Sequence, residues 1–528
     1  MNRLDFRALP FLRIIIPAVA GVALGDVVDL PVWLLGAAFA LVSWAGWALR
    51  RTGYASAYLW AAIFLLYMML STWSRPATSL PYGQRVVATA EILDDPFTGG
   101  RWGRCEARVT AFRPSEPDGQ DGQEDVWHSI NERVLLSVDT SYLAAAMVGR
   151  GGAAGREGAG ADRGSGRRLM AGDKVAYTGY FNPVGEGDYG NLMTRRGLTA
   201  RSYITSGNLL YLLPPEGFSW RRALADIKRG ASERLSRLGV GPREEAVLQA
   251  MVLGRRELLT PEIRDNYARS GTAHLLAVAG LHLGIVFLFV NALLWFVPLF
   301  RRGHIVKNVL AIAAVWFYAL LTGLSPSVVR AAFMFSGVQV ALATSSRSHS
   351  LNTLLATAAV MLAISPNSLW DVSFQLSFTA VLFIMLWCPP LYRLVRTRWA
   401  VVNFILGAVV ISVVAMIGTA PLVAYHFGYF SISGIVVNPV VTTLAYGILI
   451  LPIVWIMLPL SFLRPIIHWP VEWALRLQNS LTHWGAAQSW GVIYASPSPL
   501  WIFFAYGVLL LATPFVLRLG DLREREDG

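Results

Sequence analysis

Long apolar runs occupy both ends of the chain, and they predict membrane-spanning helices. Three such runs lie within residues 1–83, and eight more lie within residues 271–517. A helix needs about 20 predominantly apolar residues to cross the hydrocarbon core of a bilayer. Most of the runs reach that length, so the pattern predicts about 11 spans. A polar tail is expected at 518–528.

The first apolar run has two interpretations. Ala18-Val19-Ala20 resembles the small-residue site at which a secretory signal peptide is cleaved. Arg13 interrupts the run, however, and two further long runs follow it closely. These features favour a first span that is retained.

Basic residues beside the first spans predict the orientation of the chain. Arg3, Arg7 and Arg13 precede the first run, and Arg50 and Arg51 follow the second. Cytoplasmic loops of membrane proteins carry an excess of Lys and Arg. The N-terminus is therefore expected in the cytoplasm, and the segment after the third span is expected on the outer side.

Residues 84–215 show short stretches in which apolar and polar positions alternate, the pattern of half-buried strands. Five such stretches begin at Arg85, Cys105, Arg133, Lys174 and Ala200. They predict a small all-β domain, an OB-like barrel. Within it, the Gly-rich segment 149–168 cannot bury a core and is predicted to be a flexible loop.

Residues 216–270 show helical periodicity and connect this domain to the second apolar region. Apolar residues between 246 and 253 share one face and precede Arg255-Arg256. Amphipathic helices with basic residues lie in membrane interfaces, and the same position is predicted here. The expected fold is thus a polytopic α-helical membrane protein with an inserted small all-β OB-like barrel domain.

The composition supports a membrane protein, and the distribution of charge along the chain shows where the excess of basic residues lies. Hydrophobic residues make up 55% of the chain and charged residues 15%, against about 25% charged in soluble proteins. This composition excludes a disordered chain, a coiled coil and a disulfide scaffold. The net charge is +12, yet residues 84–215 carry 15 basic and 16 acidic groups. The positive excess therefore lies beside membrane segments, as expected for cytoplasmic loops.

Polar residues accompanied by Gly or Pro interrupt four apolar runs, at 274–284, 321–332, 371–378 and 421–428. Polar groups at membrane depth are costly and face a protein interior or a water-filled cavity. Broken helices gathered at one site are typical of transporters, so the residues alone predict a channel or a transporter. The candidates for lining its path are His274, His282, Arg330, Gln375, His426 and Asn438.

At these positions the sequence resembles the ComEC/Rec2 family of competence proteins. The stretches that carry the resemblance are HLLAVAGLHLG at 274–284, LTGLSPSVVRAA at 321–332, FQLSF at 374–378 and the region from Tyr425 to Pro439. The order of the regions, with N-terminal spans, an OB-like domain and a multi-span domain, is also similar. The resemblance implies a channel for single-stranded DNA across the bacterial inner membrane during natural transformation. It also implies a periplasmic DNA receptor and a cytoplasmic ATP-driven partner.

The sequence departs from the long members of that family at its C-terminal side. Those members carry a metallo-β-lactamase-like domain after the multi-span domain, whereas 11 residues follow Leu517 here. No HxHxDH zinc motif occurs among the eight dispersed histidines. A separate nuclease is therefore expected to supply single strands.

Each candidate path residue also has a structural interpretation. Arg330 is interpreted either as a phosphate contact or as the partner of an ion pair with Asp371, the only acidic residue between 271 and 471. His274 and His282, eight residues apart, are interpreted as helix-bridging residues or as path residues. Metal ligation by them lacks a supporting carboxylate. Gln375 and Asn438 are able to bridge helices as readily as to touch a substrate.

The β domain has two interpretations as well. Arg101, Trp102, Arg104 and Arg108 form a basic and aromatic cluster that is suited to stacking on the bases of a single strand. The near-neutral charge of the domain opposes this, because phosphate binding needs local positive potential. In the other interpretation, the aromatic residues of the domain, among them Tyr177, Phe181 and Tyr203, form its core.

The sequence predicts no catalytic residue, no metal site and no cofactor, and so no enzyme. It lacks the GxxxxGK[ST] loop of P-loop nucleotide hydrolases, and no Ser-His or metal constellation supports an intramembrane hydrolase. The favoured function is a single-stranded DNA channel. The alternative is a transporter of a non-DNA solute on the same membrane scaffold.

Overall fold

The structure is a computed structural model that describes residues 10–51, 54–75, 78–98, 102–115, 126–139, 169–185, 187–205, 207–215, 217–299, 303–343 and 350–526. The chain forms two compact units. We call Met1–Trp73 together with Ala231–Gly528 the helical unit, and Ser74–Gly230 the β unit.

Three apolar helices begin the helical unit: α1 (Leu12–Val27), α2 (Val32–Ala48) and α3 (Ala55–Trp73). Helices α1 and α3 pack closely because glycines face the contact. A Cβ atom on Gly21 would lie 2.3 Å from the carbonyl oxygen of Phe64. Small residues of this kind allow helix backbones to approach each other in membranes.

Among its described residues, the β unit contains eight strands and one short helix, besides the first part of a helix that crosses into the helical unit. They are β1 (Arg85–Ile92), β2 (Phe97–Thr98), β3 (Trp102–Pro114), β4 (His128–Asp139), β5 (Lys174–Tyr180), β6 (Asn182–Pro183), α4 (Asp188–Arg195), β7 (Leu198–Ile204) and β8 (Leu209–Leu213). The five strands predicted from alternation are confirmed as β1, β3, β4, β5 and β7.

The strand order is β6-β7-β4-β3-β1-β5-β8, with β2 paired to β3. Strands β4 and β7 pair in parallel, and the other described pairs are antiparallel. Among the described residues the pairing runs from β6 to β8 as an open path, so the predicted barrel is not confirmed. The predicted flexible loop at 149–168 lies outside the described residues.

In the part of the chain that the structure describes, the second part of the helical unit holds thirteen α-helices. They are α5 (Trp220–Ser236), within which the boundary of the two units falls, α6 (Pro242–Leu253), α7 (Pro261–Arg269), α8 (Ala273–Leu276), α9 (Gly280–Leu293), α10 (Gly303–Leu321), α11 (Pro326–Ala343), α12 (Ser350–Ile364), α13 (Val372–Val395), α14 (Ala400–Phe427), α15 (Gly434–Met457), α16 (Leu463–Ala487) and α17 (Pro499–Glu526). Two short strands, β9 (Tyr429–Ser431) and β10 (Val492–Tyr494), pair antiparallel between the helix ends.

The chain is a multi-pass membrane protein, since many of its helices are long and apolar. Among the described residues, six helices have the length and composition to cross a bilayer: α3, α10, α13, α14, α15 and the segment Pro499–Leu519 of α17. Three shorter apolar helices accompany them, α2, α9 and α12. Each predicted span coincides with a helix, but the count of about 11 spans is not confirmed. The region predicted as a polar tail continues as helix α17 up to Glu526.

The segment 216–270 differs in part from the one-sided helices that the sequence predicts. Helices α5 and α7 bury a single face, but every residue of α6 from Ala246 to Leu253 is buried. These residues join the largest apolar core of the helical unit, together with α15 and α16. Helix α6 is therefore a central packing element of the unit.

Candidate translocation site

Arg330 is buried in the first turns of α11, where its side chain is 1% exposed. Its Nη2 donates to the carbonyl and hydroxyl oxygens of Ser327 at 3.2 and 3.0 Å, and its Nη1 donates to the carbonyl oxygen of Ser373 at 3.4 Å. The guanidinium also lies 5.3 Å from the centroid of the Phe378 ring, within cation–π range. A cation is thus held between α11 and α13.

Asp371 lies at the N-terminus of α13, next to this cation. Its Oδ1 accepts a hydrogen bond from the backbone nitrogen of Ser373 at 2.8 Å. This is the usual role of an aspartate that caps a helix. Asp371 and Arg330 therefore meet at Ser373, and Asp371 attracts Arg330 electrostatically. The structure brings together the two residues that the sequence pairs as charges.

Gln375 and His426 connect α13 to α14 one turn further along. His426 Nε2 lies 3.0 Å from Gln375 Oε1, and Gln375 Nε2 donates to the carbonyl oxygen of Leu369 at 2.9 Å. The Gln375 side chain is thereby fixed at both ends. With Arg330 and Asp371 these residues form a polar cluster at one end of α11, α13 and α14, and we call it the Arg330 cluster.

His282 lies outside the bonded contacts of this cluster. Its ring is fully buried, and Nδ1 accepts from the backbone nitrogen of Ala279 at 3.3 Å, which caps α9. Its Nε2 is buried without a hydrogen-bond partner in the described part of the chain. Helix α9 nevertheless lies against α11, since a Cβ on Gly280 would stand 3.4 Å from the Cβ of Ala331.

His274 and Asn438 are also not bonded to the cluster. His274 is exposed on α8. Asn438 is buried in α15, where its Nδ2 lies 3.8 Å from the sulfur of Met416 and its Oδ1 has no described partner. Among the described residues, no group of three or more His, Cys, Asp or Glu side chains is placed to hold a metal ion.

A strained turn positions Arg330. It lies in the interrupted run at 321–332, but its backbone angles are not evident from the sequence. Gly323 and Leu324 both have positive φ angles, 97° and 50°, a region that a residue with a side chain rarely adopts. Pro326 then starts α11, as proline often does at the first position of a helix. The turn packs on the end of α6, where a Cβ on Gly254 would lie 2.8 Å from the carbonyl oxygen of Thr322.

A junction of buried hydroxyl groups is a second feature that the sequence analysis missed. Ser270 Oγ lies 2.8 Å from Thr272 Oγ1, and Ser431 Oγ lies 3.2 Å from Ser433 Oγ. Gly485 on α16 packs between them, because a Cβ there would stand 3.3 Å from the Cβ of Ser270. Small residues lie close to Ser270, Ser431 and Gly485 in the sequence. This clustering of small residues is the sequence signal that predicts the junction.

The β unit carries a separate pocket on the outer face of its sheet. It has a volume of about 180 Å³ and is lined by Trp102, Arg104, Leu135, Ser137, Val184, Arg201 and Tyr203. The β3–β4 and β4–β7 registers place Arg104, Ser137 and Tyr203 side by side across three strands. Trp102 and Tyr203 meet edge to face at 5.4 Å, and Arg201 lies 5.6 Å from the centroid of Tyr203.

The predicted β-domain residues divide between this face and the core. Trp102, Arg104 and Arg108 occupy alternate positions of β3 and share its outer face, while Cys105 and Ala107 between them are buried. Tyr177 and Phe181 are fully buried core residues. Arg101 lies outside the described residues. Arg201 was not identified from the sequence, because its place beside Tyr203 depends on strand pairing.

The chain is similar to one protein family and to proteins from several bacteria. The model of a family described as "Competence protein" matches residues 251–520. ComE operon protein 3 of Bacillus subtilis (strain 168) is 30% identical over 283 residues, which are 51% of this chain and 34% of that protein. An uncharacterized protein of Aquifex aeolicus (strain VF5) is 32% identical over 190 residues, which are 36% of this chain and 42% of that protein.

The Escherichia coli (strain K12) protein YcaI, also uncharacterized, is 30% identical over 176 residues, which are 30% of this chain and 22% of that protein. The chain thus spans less than half the length of each of these relatives. No solved structure matches the chain. The family match contains every residue of the Arg330 cluster and leaves out the β unit.

Proposed function

The chain belongs to the competence protein family, and on that premise we propose that it carries single-stranded DNA across the bacterial cytoplasmic membrane. The observation that carries the proposal is the Arg330 cluster. A fully buried guanidinium lies among apolar helices beside the Gln375–His426 pair. Ionisable groups inside membrane segments are costly and mark ion or substrate pathways. A cation in that position suits the phosphate of a nucleic acid.

The groups around Arg330 allow its guanidinium to exchange its present contacts for those of a passing anion. Asp371 attracts the guanidinium when no strand is present, and Ser327 and Ser373 accept its hydrogen bonds. These contacts are exchangeable, because a phosphate accepts the same hydrogen bonds and more strongly. A phosphate would therefore take over the guanidinium donors from Ser327 and Ser373, and these residues would regain them once the phosphate has left.

Two further polar atoms extend this path. His282 Nε2 and Asn438 Oδ1 are buried and have no described partner. A buried polar atom left unpaired costs about 1–3 kcal/mol. Groups on a passing strand would satisfy both atoms. Their pairing would offset part of the cost of bringing a polar strand into the membrane.

The pocket of the β unit contacts single strands in this proposal. The faces of Trp102 and Tyr203 suit base stacking, and Arg104 and Arg201 suit the phosphates. Base–aromatic stacking contributes about 1–3 kcal/mol per base without sequence preference. Residues 84–215 are nearly neutral as a whole. Arg104 and Arg201 nevertheless supply the local positive charge that phosphate binding needs.

The proposal includes an orientation and partners. The N-terminus lies in the cytoplasm and the β unit on the outer side, following the basic residues of the first loops. The chain acts as a passage and not as a catalyst. It receives strands from a periplasmic DNA receptor, and a cytoplasmic ATP-driven partner pulls them inward.

Transformation of a deletion strain tests the path. The strain is complemented with wild type, Arg330→Ala or Gln375→Ala, and fluorescent DNA is followed in the same cells. We expect both variants, at normal protein level, to let DNA collect outside the membrane and to give fewer transformants than wild type. Gln339→Ala is the matched control, because Gln339 is a buried glutamine bonded to Asn291 at 3.1 Å, away from the Arg330 cluster.

Normal transformation in the deletion strain would refute the DNA proposal. Transport of a non-DNA solute would then be the function to test. Normal transformation in both point variants would leave the family role intact but remove the Arg330 cluster from the path.

The β-unit pocket is tested with the full chain in discs of neutral lipid. Fluorescence anisotropy of a labelled single-stranded oligonucleotide should show weaker binding for Trp102→Ala with Arg104→Ala than for wild type, and a shallower dependence on salt. Arg85→Gln, an exposed arginine at the start of β1, is the control. Equal binding by all three proteins would exclude the pocket as a DNA contact.

A further inference from the structure

Three arginines surround an open pocket at the end of α15, far along the chain from the Arg330 cluster. The pocket has a volume of about 590 Å³ and is lined by Arg234, Arg237, Trp455, Pro459, Ser461 and Arg464. The arginines come from the end of α5, the segment that follows it, and the start of α16. Arg464 is more than 200 positions from Arg234 and Arg237 in the sequence, so only the fold brings it to them.

The backbone of the pocket is fixed by hydrogen bonds from its own side chains. Trp455 Nε1 donates to the carbonyl oxygen of Arg234 at 2.7 Å, and Arg234 Nη1 donates to the carbonyl oxygen of Ile456 at 2.6 Å. Arg464 Nε points to the carbonyl oxygen of Leu238 at 3.4 Å. Gly239 adjoins it with a φ of +81°, and a Cβ there would lie 2.6 Å from Arg464 Nη2.

The positive charge of the pocket lacks an ion-pair partner among the described residues. None of the three guanidinium groups lies within 4.0 Å of a carboxylate in the described part of the chain. Each arginine has five N–H donors, and the contacts above use a minority of them. All three side chains are exposed. The site is therefore equipped to bind an anion with several oxygen atoms.

An exposed apolar rim adjoins these arginines. Met457, Leu458, Leu460, Phe462 and Ile466 are all exposed large hydrophobic residues. They extend from the last residue of α15, a helix long and apolar enough to cross a membrane, into the first turn of α16. Trp469 and Trp473 are exposed on the next turns of α16, and tryptophans are enriched where a membrane meets water.

From this juxtaposition we infer that the pocket binds the headgroup of an anionic phospholipid, with its acyl chains along the apolar rim. Arginine guanidinium groups bind phosphate oxygens through paired, charge-assisted hydrogen bonds, so three of them at the end of a membrane helix suit a headgroup phosphate. The apolar rim favours a lipid over a nucleic acid backbone as the ligand, because a nucleic acid backbone is a polyanion without hydrocarbon chains. The inference is independent of the proposed passage of DNA, because no residue of the Arg330 cluster takes part.

Lipid retention tests the inference with the full chain. The protein is reconstituted in an equimolar mixture of phosphatidylglycerol and phosphatidylcholine, re-extracted in mild detergent, and its bound lipid is measured by native mass spectrometry. Wild type should retain phosphatidylglycerol over phosphatidylcholine. Arg237→Gln with Arg464→Gln should reduce this preference by about fivefold for each arginine removed.

Two further variants guard against loss of folding. Arg237→Lys with Arg464→Lys keeps both charges and should keep most of the preference. Arg476→Gln is the matched control, since Arg476 is exposed on the same helix but bonded to Glu472 at 2.6 Å. It should retain phosphatidylglycerol as wild type does. An unchanged preference in the glutamine double variant would overturn the inference.

A second arm separates lipid from DNA. The same variants are placed in discs of phosphatidylcholine alone, and binding of a labelled single-stranded oligonucleotide is measured. The lipid inference expects equal oligonucleotide binding by wild type and by the glutamine double variant. Loss of oligonucleotide binding with an unchanged lipid preference would assign the pocket to the DNA backbone and would refute the lipid site.

Discussion

His426 donates a hydrogen bond from Nε2 to Oε1 of Gln375 over 3.0 Å. The direction of this bond follows from the other end of the Gln375 side chain, where Nε2 donates to the carbonyl oxygen of Leu369 at 2.9 Å. The Gln375 oxygen can therefore only accept, and His426 must carry a proton on Nε2. Two residues that are 51 positions apart thus form one hydrogen-bonded unit between α13 and α14, with His426 as the donor.

The first prediction concerns this unit. Gln375→Ala and His426→Ala should each lower transformation, and the double variant should lose little more than either single variant. The reason is that either substitution already removes the shared bond, whose net contribution is about 0.5–1.5 kcal/mol. Transformation frequency, normalised to protein level, gives the double-mutant cycle. Effects that multiply independently would show that the two side chains act separately.

The second prediction concerns the buried charge of Arg330. Arg330→Gln removes a cation that Asp371 attracts, and loss of one member of a buried charge pair costs about 3–5 kcal/mol. The apparent unfolding midpoint in detergent should fall. Adding Asp371→Asn should restore part of the loss, because the carboxylate is then neutral. If the second substitution lowers the midpoint further, the attraction between the two groups does not stabilise the fold.

Local patterns in the sequence identify much of the fold and of the candidate site. Alternation in β3 places Trp102, Arg104 and Arg108 on one face, because successive side chains of a strand point to opposite sides. Polar residues within apolar runs reveal Arg330 and Gln375 in the same way. In each case the signal lies within a few residues of the feature that it predicts.

Features that depend on distant contacts escape this reasoning. Helix α6 has an apolar face in sequence, yet its residues from Ala246 to Leu253 are all buried, in a core that they share with α15 and α16. Arg234 and Arg464 form one pocket only because α5 ends beside the start of α16. Tyr177 and Phe181 are core residues while Tyr203 lines the pocket, a distinction set by strand pairing.

The third prediction compares alanine substitutions at two glycines, Gly254 and Gly230. Gly254 has a φ of +71°, and a Cβ there would meet the carbonyl oxygen of Thr322 at 2.8 Å. Gly254→Ala should therefore lower the apparent unfolding midpoint, by about 1–3 kcal/mol in stability. Gly230→Ala is the matched control, because Gly230 lies in helix α5 with open space around it.

Alanine should stabilise helix α5 at position 230 by about 0.5–1 kcal/mol. The two substitutions are chemically identical, so opposite shifts of the midpoint isolate the effect of the local backbone and contacts. A Gly254→Ala protein as stable as wild type would mean that the turn at Thr322 tolerates displacement.

The fourth prediction is a pH dependence in the β unit. Glu132 accepts hydrogen bonds from the Ser79 nitrogen at 2.6 Å and from the hydroxyl groups of Ser79, Thr78 and Thr199 at 2.7, 3.0 and 2.9 Å. Partial burial acts to raise the pKa of Glu132, but these four bonds outweigh it and hold the pKa below its ordinary value of 4.5. Each of them stabilises the ionised form.

A carboxylate with a lowered pKa stabilises the fold above the pKa of the unfolded chain, and this stabilisation is lost as the pH falls through the folded value. Glu132→Gln should therefore lower the unfolding midpoint at pH 7, and its difference from wild type should shrink progressively below about pH 4.5. Midpoints measured across this range by intrinsic fluorescence test the expectation. Glu262→Gln is the control, because Glu262 is an exposed carboxylate whose contact is Arg243 at 3.5 Å. The midpoint difference between Glu132→Gln and wild type could instead be the same at both ends of the pH range. That result would show that the hydrogen bonds do not act by stabilising the ionised form of Glu132.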